Sequence, residues 1–199
     1  MTSNADPAHA KNQVTVAVVS ASAAMLDVLT RVLSRNSAFR TAGAFPDSAS
    51  AREALRRNPV DVVLGSRPPA SPEEVVVWRS FHDAGIASLL LAPNPRPQDA
   101  LWSVIAGASG FAPGPIAPRT ITDTLLRIAG GNTALPADVI GQLTDMPGAR
   151  WRLNLDESER RLLSAVMARQ TTQQMALQLQ LSPEDVFAGL VGICEKVPR

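Results

Sequence analysis

Val14-Thr15-Val16-Ala17-Val18-Val19 is a short apolar run of β-branched character that breaks at Ser20-Ala21-Ser22. Met25, Leu26, Leu29, Val32 and Leu33 then recur at helical spacing, with Asp27, Arg31 and Arg35 between them. The continuous run reads as a strand buried on both faces, and the recurrence reads as the helix that covers it. The rhythm repeats. Phe39–Phe45 is a second, weaker strand, and the polar helix Ser48–Arg57 follows until Asn58-Pro59 stops it. Val60–Leu64, Ile86–Leu91 and Ser109–Ala112 supply three more strands. Pro72–Ala84, Gln98–Ala108 and Arg119–Ala129 supply the helices after them, with Gly85 and Gly130-Gly131 as stops. Five such units predict an α/β fold: a doubly wound, five-stranded parallel sheet over residues 13–143.

Outward from this block the pattern changes. Residues 1–12 are polar and read as a loose tail. Thr144–Leu155 holds Pro147 and Gly148 among mixed polar residues and reads as a linker. Residues 156–199 are helical throughout. Leu162, Leu163, Val166 and Met167 form one apolar stripe within Asp156–Ala168. Thr171–Leu179 is a short helix, Gln180-Leu181 turns the chain, and Ser182 caps Pro183–Val197. Helix, short helix, tight turn and capped helix make a helix-turn-helix outline, a small all-α unit after the sheet.

Composition removes several function classes. The 199 residues carry a net charge of +1, so no global basic field draws the chain to nucleic acid. The single cysteine, Cys194, excludes an internal disulfide, and with only His9 and His82 beside it a Cys/His zinc site is excluded too. Neither a metal nor a cofactor is expected. No apolar run approaches the ~20 residues of a membrane helix, and the first dozen residues lack an apolar signal core. The expected compartment is the cytoplasm.

Two groups of motifs carry a resemblance. Val60-Asp61-Val62-Val63-Leu64, Gly107-Ala108-Ser109-Gly110-Phe111 and the segment from Gly130-Gly131-Asn132 to Leu135-Pro136 resemble a response-regulator receiver, a flavodoxin-like domain. Leu155-Asp156-Glu157-Ser158-Glu159-Arg160, Met175-Ala176, Leu181-Ser182 and Val186…Leu190…Ile193…Lys196 resemble a LuxR-type helix-turn-helix. The resemblance implies a transcription regulator, not an enzyme. It is truncated at Arg199, where such units usually add a fourth helix.

The departures bear on control. The family keeps an acidic, magnesium-holding pair after the first strand; here stand Ser20 and Ala21. Ser66 replaces the phosphoacceptor aspartate, Ala92 the hydroxyl residue after the fourth strand, and Gly114 the lysine after the fifth. Aspartyl phosphorylation needs a carboxylate nucleophile, a cation held by carboxylates and a positive charge on the phosphoryl oxygens, so it is not expected. Ser66 as a hydroxyl phosphosite is a rival reading. The small residues Ser20, Ala21, Ser66, Ala92 and Gly114 converge at the carboxyl ends of the strands, where a small-molecule ligand could sit. Phe111, at the resemblance's aromatic switch position, is expected to be fixed core packing, and Asp61 to play a local capping role.

The resemblance also frames the DNA question. From Ser182 onward Glu184, Asp185 and Glu195 oppose Lys196 and Arg199. Phe187 and Gly189 stand where the family shows basic or histidine side chains facing outward, and Gly189 and Gly192 each cost a helix ~1 kcal/mol relative to Ala. If DNA is bound, Thr172, Gln173, Gln174, Ser182 and Lys196, with Arg150, Arg152, Arg169 and Arg199, are the candidate contacts. Trp151 beside the linker arginines could stack on a base or pack on the helices. The alternative is an adaptor that binds a protein partner through Phe187 and Val191. Trp102 and Ile105, expected on the outer face of the fourth receiver helix, suggest a homodimer or other constitutive protein contact. Cys194 is expected to be structural rather than a redox sensor.

Overall fold

The computed structural model describes residues 13–135 and 154–196. Five parallel strands, β1 (Val14–Val19), β2 (Phe39–Phe45), β3 (Val62–Gly65), β4 (Ala87–Ala92) and β5 (Gly110–Pro113), form one sheet in the order β2-β1-β3-β4-β5. Each lies within two residues of its expectation. The helices between them are α1 (Ala23–Ser34), α2 (Ser48–Leu55), α3 (Pro72–Asp83), α4 (Pro97–Ile105) and α5 (Pro118–Ala129). Ser22, Asp47 and Ser71 start the first three by accepting a first-turn amide, which satisfies donors a helix leaves open.

Strand alternation sorts the core onto two faces. Val16 and Val18 point with Leu64, Leu89 and Leu91 toward Leu29 and Leu33 of α1 and Leu125 of α5. Ala17 and Val19 point with Val63 and Leu90 the other way, toward α2, α3 and α4. Three further helices follow: α6 (Glu157–Met167), α7 (Thr172–Leu179) and α8 (Pro183–Glu195). Each begins with a reciprocal capping box, Asp156 with Glu159, Thr171 with Gln174 and Ser182 with Asp185. Gln180 makes the turn between α7 and α8 in the left-handed region at φ 56°.

The three-helix unit packs on the outer side of α3 and α4. Its apolar residues Leu162, Met175, Leu190 and Cys194 belong to the same continuous cluster as Trp78, Phe81, Trp102 and Ile105. The second core therefore runs through both units. The expected tail 1–12 and most of the expected linker, with Trp151, Arg150 and Arg152, lie outside the described residues, as does Arg199. Among the described residues no helix is long and apolar enough to cross a membrane.

Candidate functional site: the strand-end pocket and the helix-turn-helix face

Ser20 ends β1 and Ser66 follows β3, so the parallel pairing of these strands brings the two hydroxyls together. Ser66 Oγ donates to Ser20 Oγ at 2.8 Å, and Ser20 Oγ also accepts the Ser22 amide. Ala92 and Gly114 are joined by a 2.7 Å backbone hydrogen bond at the ends of β4 and β5, and Ala21 is exposed beside the serines. Of the five small residues expected to converge, Ser20, Ala21 and Ser66 line one cavity, and Ala92 and Gly114 are not among its lining residues. That cavity is not ligand-sized. The cavity over Ser20, Ala21 and Ser66 measures about 20 Å³, room for one water, against the ~300–1,000 Å³ of ligand sites. The small-molecule expectation at this place is therefore corrected: Pro46, Arg67, Glu74 and Trp78 line the little space that remains.

Arg67 and Glu74 escaped the sequence reading. Arg67 forms a bidentate pair with Glu74, 2.8 Å at each nitrogen, and Glu74 also accepts the Ala70 amide at 2.9 Å. The Arg67 hydrogen bonds hold the Glu74 carboxyl below its ordinary range. Asp47 lines the same pocket, but its carboxylate caps α2 through the Ser50 amide and hydroxyl. The magnesium that the receiver fold implies does not fit this donor set. The site offers hydroxyls from Ser20 and Ser66, and the two nearby carboxylates are committed elsewhere. Among the described residues no cluster of three His, Cys, Asp or Glu could hold a metal ion. Asp61 has the local role expected of it, accepting from the Thr15 amide at 2.7 Å and its hydroxyl at 2.6 Å. Phe111 is buried, as expected of core packing.

The candidate DNA contacts separate. Gln173, Gln174 and Ser182 are exposed, the last two also serving their capping boxes. Thr172 is corrected: it is buried, its amide donates to Asp83 Oδ1 at 2.9 Å and its hydroxyl accepts from Arg79 Nε at 3.2 Å. Lys196 holds Glu159 at 2.6 Å and the Asn154 carbonyl at 3.2 Å. Gly189 is corrected as an outward position, because a Cβ there would lie 2.4 Å from Leu162 Cδ1 on α6. Phe187 and Val191 are half-buried rather than an open apolar face. They share a helix face with Cys194, whose carbonyl accepts from Trp102 Nε1 at 3.2 Å. Burial pushes the Cys194 thiol up to about 12, which suits a structural cysteine.

Trp102 and Ile105 are 4% and 0% exposed. The open contact surface expected there is corrected: the chain's own three-helix unit covers α4. A polar layer flanks this apolar contact. Arg79 of α3 is 1% exposed, with Nη1 on the Ile105 carbonyl at 2.8 Å and Nη2 on the Gln170 carbonyl. Among the described residues no carboxylate pairs with it, and burial lowers its pKa to about 10. Arg169, which joins α6 to α7 at φ 57°, reaches back to the Ala108 and Gly107 carbonyls at 2.8 and 3.2 Å and to Ser109 Oγ at 3.2 Å. It is therefore withdrawn from the candidate phosphate contacts. The available signal for this layer was the width of α3's apolar surface, from Val75 through Val77 to Trp78 and Phe81, which exceeds one sheet-facing stripe.

No family model matches the chain, and no curated protein matches it. Solved structures do. The response regulator ChrA of a heme-sensing two-component system is 20% identical, with a TM-score of 0.54 over 93% of this chain and 90% of that one. The chain carries the response-regulator fold. The two-component response regulator RcsB in complex with DNA aligns over 94% of both chains at 14% identity and a TM-score of 0.57. The signal receiver domain of NarL from Mycobacterium tuberculosis covers 61% of this chain and 99% of its own, at 22% identity and a TM-score of 0.54. Receiver-like sheet and C-terminal helices are thus both matched.

Proposed function

We propose that this protein is a transcription regulator of the response-regulator type that works without aspartyl phosphorylation, controlled by a partner, a ligand or its own abundance. The observation that carries the reading is the 2.8 Å hydroxyl pair of Ser66 and Ser20 under the Arg67–Glu74 ion pair. A phosphoryl group there would meet neither a carboxylate nucleophile nor a metal-holding acidic pair. DNA as the target is supported by the fold shared with RcsB, a protein solved on DNA. Gln173, Gln174 and Ser182 are the exposed side chains offered to it.

Two measurements test the reading together. Incubation with a small phosphodonor and magnesium should leave the intact mass unchanged, and a single phosphoryl adduct would overturn the phosphorylation-independent claim. A gel shift on DNA from upstream of the protein's own gene should give a specific complex with a shallow salt slope. Each neutralised phosphate adds ~0.9 to that slope, and Lys196 and Arg169 are already engaged within the protein. A second reading, a protein-binding adaptor, draws on the exposed acidic pair Glu184 and Asp185 at the start of α8. No shift at low salt would favour it.

A further inference from the structure

We propose that the contact between the receiver-like unit and the three-helix unit is a proton-controlled latch at His82: the neutral imidazole holds the units together and a proton on Nδ1 releases them. The inference rests on the packing of the two units and does not depend on whether the protein binds DNA.

The geometry fixes which nitrogen can take the proton. His82 Nε2 lies 3.1 Å from the Arg169 carbonyl, an acceptor only, so Nε2 carries the hydrogen and donates. Nδ1 is left as a lone pair, and Arg169 Nη2 faces it at 3.5 Å. Protonation can therefore occur only at Nδ1, where it sets an N–H against a guanidinium that has nothing to accept with. The ring cannot turn aside easily. Gly107, at φ 74°, lies so close that a Cβ on it would stand 2.7 Å from His82 Cβ and Cγ.

The surrounding charges favour the neutral ring. On α3, Arg79 stands one turn before His82, and Asp83 follows it. The loop before α7 contributes Arg169. Gly107 to Ser109, between α4 and β5, bring no titratable group, and neither does the stretch Ile128 to Thr133 that lines the adjoining cavity. Asp61 lines that cavity too, but both Thr15 donors hold its carboxylate. Asp83 is spoken for by the Thr172 amide. A charged His82 would thus be the third cation around one committed carboxylate. Burial, then Arg79 and Arg169, hold its pKa below the ordinary 6.5. The cavity, of about 400 Å³ and open to solvent, gives protons a route to the ring.

The sign follows by linkage. A released His82 binds its proton at the ordinary value, and a latched one only at lower pH. Closure is therefore undiminished above about pH 6.5 and weakens as the pH falls below it, by up to ~tenfold in the open-to-closed ratio per pH unit, until the latched imidazole itself titrates.

The test is small-angle scattering of the full chain without DNA, from pH 8 to pH 5.5, with far-UV circular dichroism confirming native helix content. The wild type should expand as the pH falls. His82→Gln, which keeps an N–H for the Arg169 carbonyl and never charges, should stay compact throughout. His82→Lys should be expanded throughout. A wild type of constant radius, or a His82→Gln protein that expands with the wild-type midpoint, would overturn the proposal. If His82→Lys fails to fold, the wild-type and Gln comparison still decides it.

Discussion

At the scale of single residues, Arg79 is the most deeply buried charge among the described residues. Its guanidinium is buried, and its described partners are two backbone carbonyls, a threonine hydroxyl and the Met175 sulfur. Such a cation is held by neutral acceptors that would themselves be orphaned without it. Replacing Arg79 with Ala leaves the Ile105 and Gln170 carbonyls without their donor in a site that water reaches poorly. The expected cost is ~1–3 kcal/mol, read as a lower urea midpoint at unchanged slope. An unchanged midpoint would mean that the buried charge costs as much as its bonds return. The contrast with Arg67 is instructive. That residue meets a carboxylate at a half-exposed rim, where an ion pair is weak in solution.

Element by element, the glycines of α8 separate what a propensity rule treats alike. Both should cost the helix ~1 kcal/mol relative to Ala. A methyl at Gly192 would meet nothing nearer than Glu159 Oε1 at 4.0 Å, so Gly192→Ala should stabilise by up to that amount. A methyl at Gly189 would press to 2.4 Å of Leu162 Cδ1, so overpacking of ~1–3 kcal/mol should outweigh the gain and Gly189→Ala should destabilise. Thermal unfolding of the two variants should shift in opposite directions; a common direction would refute the close α6–α8 approach. The same comparison marks what was legible in the sequence. Strand and helix periods and the cap at Ser182 are local signals, and each led to the right element. Gly189, Trp102 and Arg79 were misread or missed because their partners lie 27 to 93 residues away, at Leu162, Cys194 and Thr172. Neither periodicity nor spacing carries such a pairing. An apolar outer face on α4 says that something covers it, not that the cover is the same chain.

On the scale of the whole molecule, the shared core decides how the two units behave. Trp102 contributes a large buried ring to the cluster that joins them and donates to the Cys194 carbonyl across the contact. A chain of ~40 residues buries little of its own surface. Docking on α3 and α4 adds apolar contact, so with the His82 latch closed the two units should unfold together in one transition. Trp102→Ala removes a ring whose truncation costs ~3–5 kcal/mol in a core, with the loss falling on the contact rather than on the sheet. Calorimetry should then show the single wild-type endotherm split into an early transition of the three-helix unit and a later one of the receiver-like unit. Reaction of Cys194 with a thiol reagent at fixed pH should accelerate in the same variant, since its 1% exposure depends on that cover. A single endotherm merely moved to lower temperature, with Cys194 still protected, would instead mean that α6, α7 and α8 bury this face among themselves. In that case the contact with α3 and α4 would be adjacency without energetic weight.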